Sequence, residues 1–96
     1  MASVVVTLKV MPQAPETNMD EVFVKAEKCV RSFVDLKHKT GEVRKVIEPI
    51  GFGLQALKIL FVMDEDLGAT DRLEQDIGKV AGVESVEAID VRRTIG

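Results

Sequence analysis

Gln55-Ala56-Leu57-Lys58-Ile59-Leu60-Phe61-Val62-Met63-Asp64 is the stretch that decides the fold. In an extended chain Leu57, Ile59, Phe61 and Met63 share one side, and Ala56, Lys58, Leu60 and Val62 share the other. Both sides are mostly apolar, so the stretch reads as a central strand. Just upstream, Glu42 to Ile50 is a second extended segment, stopped by Pro49 and Gly51. The short link Gly51-Phe52-Gly53-Leu54 between them suits a hairpin.

Working outward, Ser3 to Val10 alternates with Val4, Val6, Leu8 and Val10 on one face, which predicts a strand. Met11-Pro12-Gln13-Ala14-Pro15 ends it, because proline removes a ladder donor and disfavours helix before it. Asn18 followed by Glu21 has the form of a helix N-cap with a capping-box acid. Met19, Val22, Phe23, Ala26, Cys29, Val30 and Phe33 then recur at three- and four-residue spacing and predict a helix from Met19 to Leu36. Lys37-His38-Lys39 suits the negative end of its macrodipole, with Gly41 just beyond. Thr70 is placed to cap a second helix with Leu73, Ile77 and Val80 or Ala81 inward; Gly82 ends it, and a last strand runs from Val83 to Arg93. The order β-α-β-β-α-β leaves two helices with one apolar stripe each and one sheet face to receive them. The expected fold is α+β: a ferredoxin-like sandwich with a four-stranded antiparallel sheet and both helices on one face, formed by residues 1–96 as a single domain. That architecture hosts many functions and selects none.

Composition narrows the choice. The chain is 46% apolar and 30% charged, with four Phe and neither Trp nor Tyr. Its formal charge of −3 argues against broad electrostatic binding to nucleic acid or to an anionic membrane. Cys29 is the one cysteine and offers no internal disulfide. The start, Met1-Ala2-Ser3-Val4-Val5-Val6, lacks the basic region and long apolar stretch of a signal peptide. The longest apolar run, Ile59 to Met63, falls far short of the roughly 20 residues of a membrane span. A soluble cytoplasmic protein is expected, acting as a monomer.

The chemistry-bearing motifs are weak. Gly51-x-Gly53-x-x-Ala56 has the spacing of a dinucleotide-binding loop, but that loop must open a helix, and here an alternating strand follows. No phosphate-binding G-x-x-x-x-G-K-[ST] loop occurs. His38 stands alone and reads as part of a solvated helix C-terminus. Cys29 lies on the inner stripe of the first helix and reads as a small core residue. Asp64, Glu65, Asp66 and Asp71 read as a solvated acidic loop. Arg44-Lys45 and Arg92-Arg93 are basic pairs that suit phosphate, a carboxylate or plain surface. No nucleophile–base arrangement is recognisable, so neither an enzyme nor a cofactor is expected.

Phe52 stands apart. A large apolar side chain between two glycines, in a hairpin loop, has little structure to tuck it inward. Two readings stay open: the ring folds back as a lid on the sheet end, or it projects as an anchor for a partner's pocket.

Pro49-Ile50-Gly51-Phe52-Gly53-Leu54, then Leu57-Lys58-Ile59 and Asp64-Glu65-Asp66, closely resembles the signature of the elongation factor 1-beta family, above all its short archaeal form. Val83-Glu84-Ser85-Val86-Glu87 also resembles that family's final strand. The resemblance is specific over Pro49 to Arg93; the first half agrees in element order more than in identity. It implies a ferredoxin-like exchange domain that promotes GDP release and GTP loading on elongation factor 1-alpha. It also implies that Phe52, flanked by Gly51 and Gly53, enters the GTPase. Arg93 aligns with a basic residue that reaches toward the magnesium and phosphate site, where eukaryotic members carry Lys; a guanidinium is no simple substitute for an ammonium. The chain continues through Thr94-Ile95-Gly96. Two rivals share the element order: an ACT-like domain that senses a small molecule, and an RNA-binding domain. The latter needs outward aromatics on the central strands, where Phe61 is the one candidate and is expected to point inward.

Overall fold

In the computed structural model, which describes residues 3–94, the chain runs through β1 (Ser3–Pro12), α1 (Met19–Phe33), β2 (Arg44–Gly51), β3 (Leu54–Asp64), α2 (Asp71–Gly78) and β4 (Val83–Arg93). One-turn 3₁₀ helices at Leu36–His38 and Glu65–Leu67 join them. Met1, Ala2, Ile95 and Gly96 lie outside the described residues.

The sheet order is β2-β3-β1-β4, and every neighbouring pair is antiparallel. The α+β, ferredoxin-like expectation holds. Strand β3 is central, as its two apolar faces predict: Leu57, Ile59, Phe61 and Met63 face Val10, Leu8, Val6 and Val4 of β1, and all eight are buried. The helices cover this face with Met19, Val22, Ala26 and Val30 from α1 and Leu73 and Ile77 from α2. Phe61, 2% exposed, is the largest side chain in this layer. Opposite, Leu60 and Val62 are only half-buried, whereas the smaller Ala56 on the same side is buried. No helix of the described residues is long and apolar enough to cross a membrane.

Helix α1 starts where the sequence places it, with Asn18 Oδ1 accepting the Asp20 and Glu21 amides. It stops three residues short of the predicted Leu36. Val34 and Asp35 are extended, which frees the Asp35 carboxylate to accept the Asp64 amide at 2.8 Å and to meet the His38 ring. Arg31, in the last turn, donates through Nη1 to the carbonyls of Lys39 and Gly41 and ties the following loop to the helix. Thr70 makes no side-chain cap either; its hydroxyl donates to Glu74, whose other oxygen accepts the Ala88 amide and ties α2 to β4. Gly82 is fixed twice over. Its φ is 90°, and a Cβ there would lie 2.8 Å from Thr17 Cγ2.

Candidate functional site

The β2–β3 hairpin is built around proline and glycine. Pro49 pairs with Gln55 and Gly51 with Leu54, so Ile50 is an extra residue that bulges from the edge strand. Phe52 and Gly53 alone form the loop, one step tighter at each side than the sequence suggests. Their φ values, 55° and 76°, are both positive, as a two-residue hairpin turn of type I′ requires. Gly51 precedes them at φ 102°. A Cβ on Gly51 would meet no atom within 4 Å, so conformation, not crowding, calls for glycine there. Gly53 sits against Pro15, whose Cβ lies 3.5 Å from where its own would be.

Phenylalanine is a poor choice for this turn. Holding a bulky side chain at left-handed φ costs about 1–3 kcal/mol, whereas Asn or Gly would hold it at little cost. The ring gains nothing in return from its own fold, since Phe52 is 97% exposed. The lid reading is removed; Phe52 projects.

Arg93 lies at the other end of the sheet. It pairs with Val4, which pairs with Met63 near the far end of β3. Its guanidinium forks onto Glu65, with Nε and Nη2 each 2.7 Å from a carboxylate oxygen. This bidentate hydrogen bond, and then the charge of the pair, raise the Arg93 guanidinium above its ordinary value and hold the Glu65 carboxyl below the usual range. Gly51, Phe52 and Gly53 are thus one unit and Arg93 another, not one cluster.

Sequence reasoning missed what braces the Arg93 end. Asp35 Oδ2 accepts from His38 Nδ1 at 2.8 Å, a carboxylate being able only to accept. His38 Nε2 then faces Ser3 Oγ at 3.4 Å, and the Ser3 carbonyl accepts the Thr94 amide at 2.8 Å. Through its other oxygen Asp35 accepts the Asp64 amide, next to Glu65. Burial alone would raise the Asp35 carboxyl, but the Asp64 amide and the His38 ring outweigh it and hold the group below its ordinary value. His38 is therefore a half-buried structural residue, not part of a solvated helix end. The Asp-x-x-His spacing was the one available signal.

Other sequence candidates fall elsewhere. Cys29 is half-buried at the edge of the core. Asp64 Oδ1 accepts the Asp66 amide and caps a short turn. Arg44 pairs with Glu42, and Arg92 with Asp90. Gly51-x-Gly53-x-x-Ala56 spans a hairpin and opens no helix. None of the four phenylalanines lies on the open sheet face, which removes the stacking platform an RNA-binding sheet needs.

With the fold and the outward Phe52 in view, comparison with known proteins adds that residues 5–94 match the EF-1 guanine nucleotide exchange domain. The chain belongs to that family. It is 41% identical over 91 residues to the elongation factor 1-beta of Methanococcus aeolicus, covering 95% of this chain and 97% of the relative. The Methanobrevibacter smithii protein of that name is 36% identical over 93 residues, covering 97% and 98%. That of Methanosphaerula palustris is 35% identical over 94 residues, covering 98% and 100%. Membership in the EF-1 exchange family places the chain among translation elongation factors and supports guanine nucleotide exchange for elongation factor 1.

Proposed function

We propose that this chain, residues 1–96 acting as one exchange domain in the cytoplasm, promotes GDP release and GTP loading on the GTPase elongation factor 1-alpha and has no active site of its own. The observation that carries this reading is Phe52: a fully exposed aromatic ring held by a turn that disfavours it. A costly exposed group is retained where its benefit lies in another molecule.

The energetics set what each group must supply. An exchange factor binds the nucleotide-free GTPase better than the loaded one, and linkage weakens nucleotide binding by the same factor. A thousandfold faster release needs about 4 kcal/mol. Burying one Phe contributes roughly 1.5–3 kcal/mol, so Phe52 supplies part, and Gly51 and Gly53 contribute by letting partner backbone approach the tip. Arg93 supplies a second part by presenting positive charge to the magnesium and phosphate region of the GTPase, which requires its fork to leave Glu65 or to share it. Contact at both ends needs a partner that reaches along the sheet, about 30 Å for the nine residue steps from Leu54 to Met63.

The test follows release of a fluorescent GDP analogue from the cognate elongation factor 1-alpha. Release accelerated by catalytic amounts of this chain is expected. An unchanged rate overturns the proposal.

A further inference from the structure

Four of the five arginines are each bonded to a carboxylate: Arg31 to Glu27, Arg44 to Glu42, Arg92 to Asp90 and Arg93 to Glu65. Arg72 is the exception. Among the described residues no carboxylate lies within 4.0 Å of its guanidinium, not even Asp76 one turn along α2, and its side chain makes no hydrogen bond. An unpaired guanidinium keeps its planar fork of donors open to a ligand.

Arg72 borders a groove of about 530 Å³ between the two helices. Lys28, Cys29 and Phe33 of α1 form one side, Arg72 and Asp76 of α2 the other, and Leu67 one end. Lys28 also has no ion-pair partner among the described residues. The groove thus holds two free cations against one carboxylate, on a chain whose formal charge is −3. Its floor is apolar. Phe33 and Cys29 are half-buried there, and burial, then the Asp76 carboxylate, push the Cys29 thiol up, so it stays protonated and packs as a small hydrophobe.

We infer that this groove binds a segment of a partner polypeptide that carries a carboxylate beside an apolar side chain, the carboxylate meeting Arg72 and Lys28 and the apolar group meeting Phe33 and Leu67. The positive excess in an otherwise acidic molecule selects an acidic occupant. Asp76 on the same wall, with the net negative charge around it, disfavours a polyphosphate or nucleic acid. Lys28, Leu67, Arg72 and Asp76 are all exposed, so the rim is open along its length. A free small molecule needs most of its surface enclosed, which an open groove does not give; a peptide side chain needs only its tip enclosed. The inference stands apart from the exchange reading, which uses neither helix.

The probe is a short labelled peptide of glutamate and leucine in equal numbers, titrated into the full isotope-labelled chain beside a matched lysine–leucine peptide. Amide shifts confined to Lys28–Phe33 and Leu67–Asp76 are expected with the acidic peptide alone. Arg72→Gln, which changes an exposed side chain, is expected to fold normally and bind about tenfold more weakly. Lys28→Gln weakens binding further, and Arg92→Gln leaves it unchanged. Equal binding of both peptides, unchanged affinity in Arg72→Gln, or shifts elsewhere would overturn the inference. So would binding of free glutamate as tight as the peptide, which makes this a small-molecule site. An Arg72-dependent dimer that ignores the peptide would assign the groove to a second copy and also defeat it.

Discussion

Phe52 and Arg93 mark opposite ends of one ladder: the turn at Phe52 leads into Leu54, and nine residue steps later Met63 shares its β1 partner, Val4, with Arg93. At about 3.3 Å per residue the two are roughly 30 Å apart. They cannot act on one atom of a partner, so their effects should separate on mutation.

Phe52→Ala is expected to lower the exchange rate at least tenfold, by losing about 1.5 kcal/mol or more of apolar burial in the complex. Its own stability should change by no more than about 0.5 kcal/mol, because the ring touches little at home. GDP-release kinetics beside thermal unfolding check both halves; retained exchange would remove the anchor role.

Phe52→Asn tests the strain. Asn accepts left-handed φ, so this variant should be more stable than the parent by about 1 kcal/mol, a rise in Tm of roughly 4–8 °C. Exchange should fall at the same time, by at least the tenfold expected of Phe52→Ala. A Tm that stays the same would show that the turn is unstrained.

Arg93→Ala should slow GDP release more than it weakens partner affinity, since its proposed contact is made on the way to release and not in docking. Arg93→Lys should recover part of the rate without the bidentate fork to Glu65. Single-turnover release against binding titration separates the two quantities, and equal losses would leave Arg93 a binding residue only.

Asp35→Asn should destabilise the fold by about 1 kcal/mol at neutral pH, loosening the brace that links Asp64, His38 and Ser3. The sign follows from the lowered Asp35 carboxyl. A depressed folded-state pKa contributes stability that is complete above the ordinary value near 4 and is lost as pH falls through the folded one. The difference between parent and variant should therefore shrink below about pH 4 in chemical denaturation. A constant difference down to pH 2 would show that the carboxylate's charge does no work there.

Gly82→Ala should cost about 2 kcal/mol or more, since positive φ and the 2.8 Å approach of Thr17 Cγ2 both oppose a side chain. Adding Thr17→Ser removes the clashing methyl and should restore part of the loss, leaving the conformational share. Urea unfolding of the single and double variants resolves the two.

The sheet was legible because alternation over Ser3–Val10 and Gln55–Asp64 is dictated by which side chains must share a face, and one-residue slips would invert it. The hairpin tip was legible as far as Gly51 and Gly53; whether Phe52 turned in or out was not, because it depends on the φ of a single residue. The end of α1 was misread for a different reason. Local spacing continues to Leu36, but Asp35 is claimed by Asp64, 29 residues further on, and no periodicity reports such a bond. His38 went astray with it. Arg72 gave no signal of its own, although Glu27–Arg31, Glu42–Arg44 and Asp90–Arg92 are close enough in sequence to show their partners in advance.

The left-handed conformation of residue 52 sets the backbone's preference against an aromatic side chain there. Mutation toward asparagine or glycine relaxes the backbone, so a lineage judged on folding alone would shed the aromatic ring within this hairpin. Under the exchange reading, the ring at this tip answers a demand from outside the fold, and an Asn-Gly or Gly-Gly tip in place of Phe52-Gly53 would mark a chain released from it.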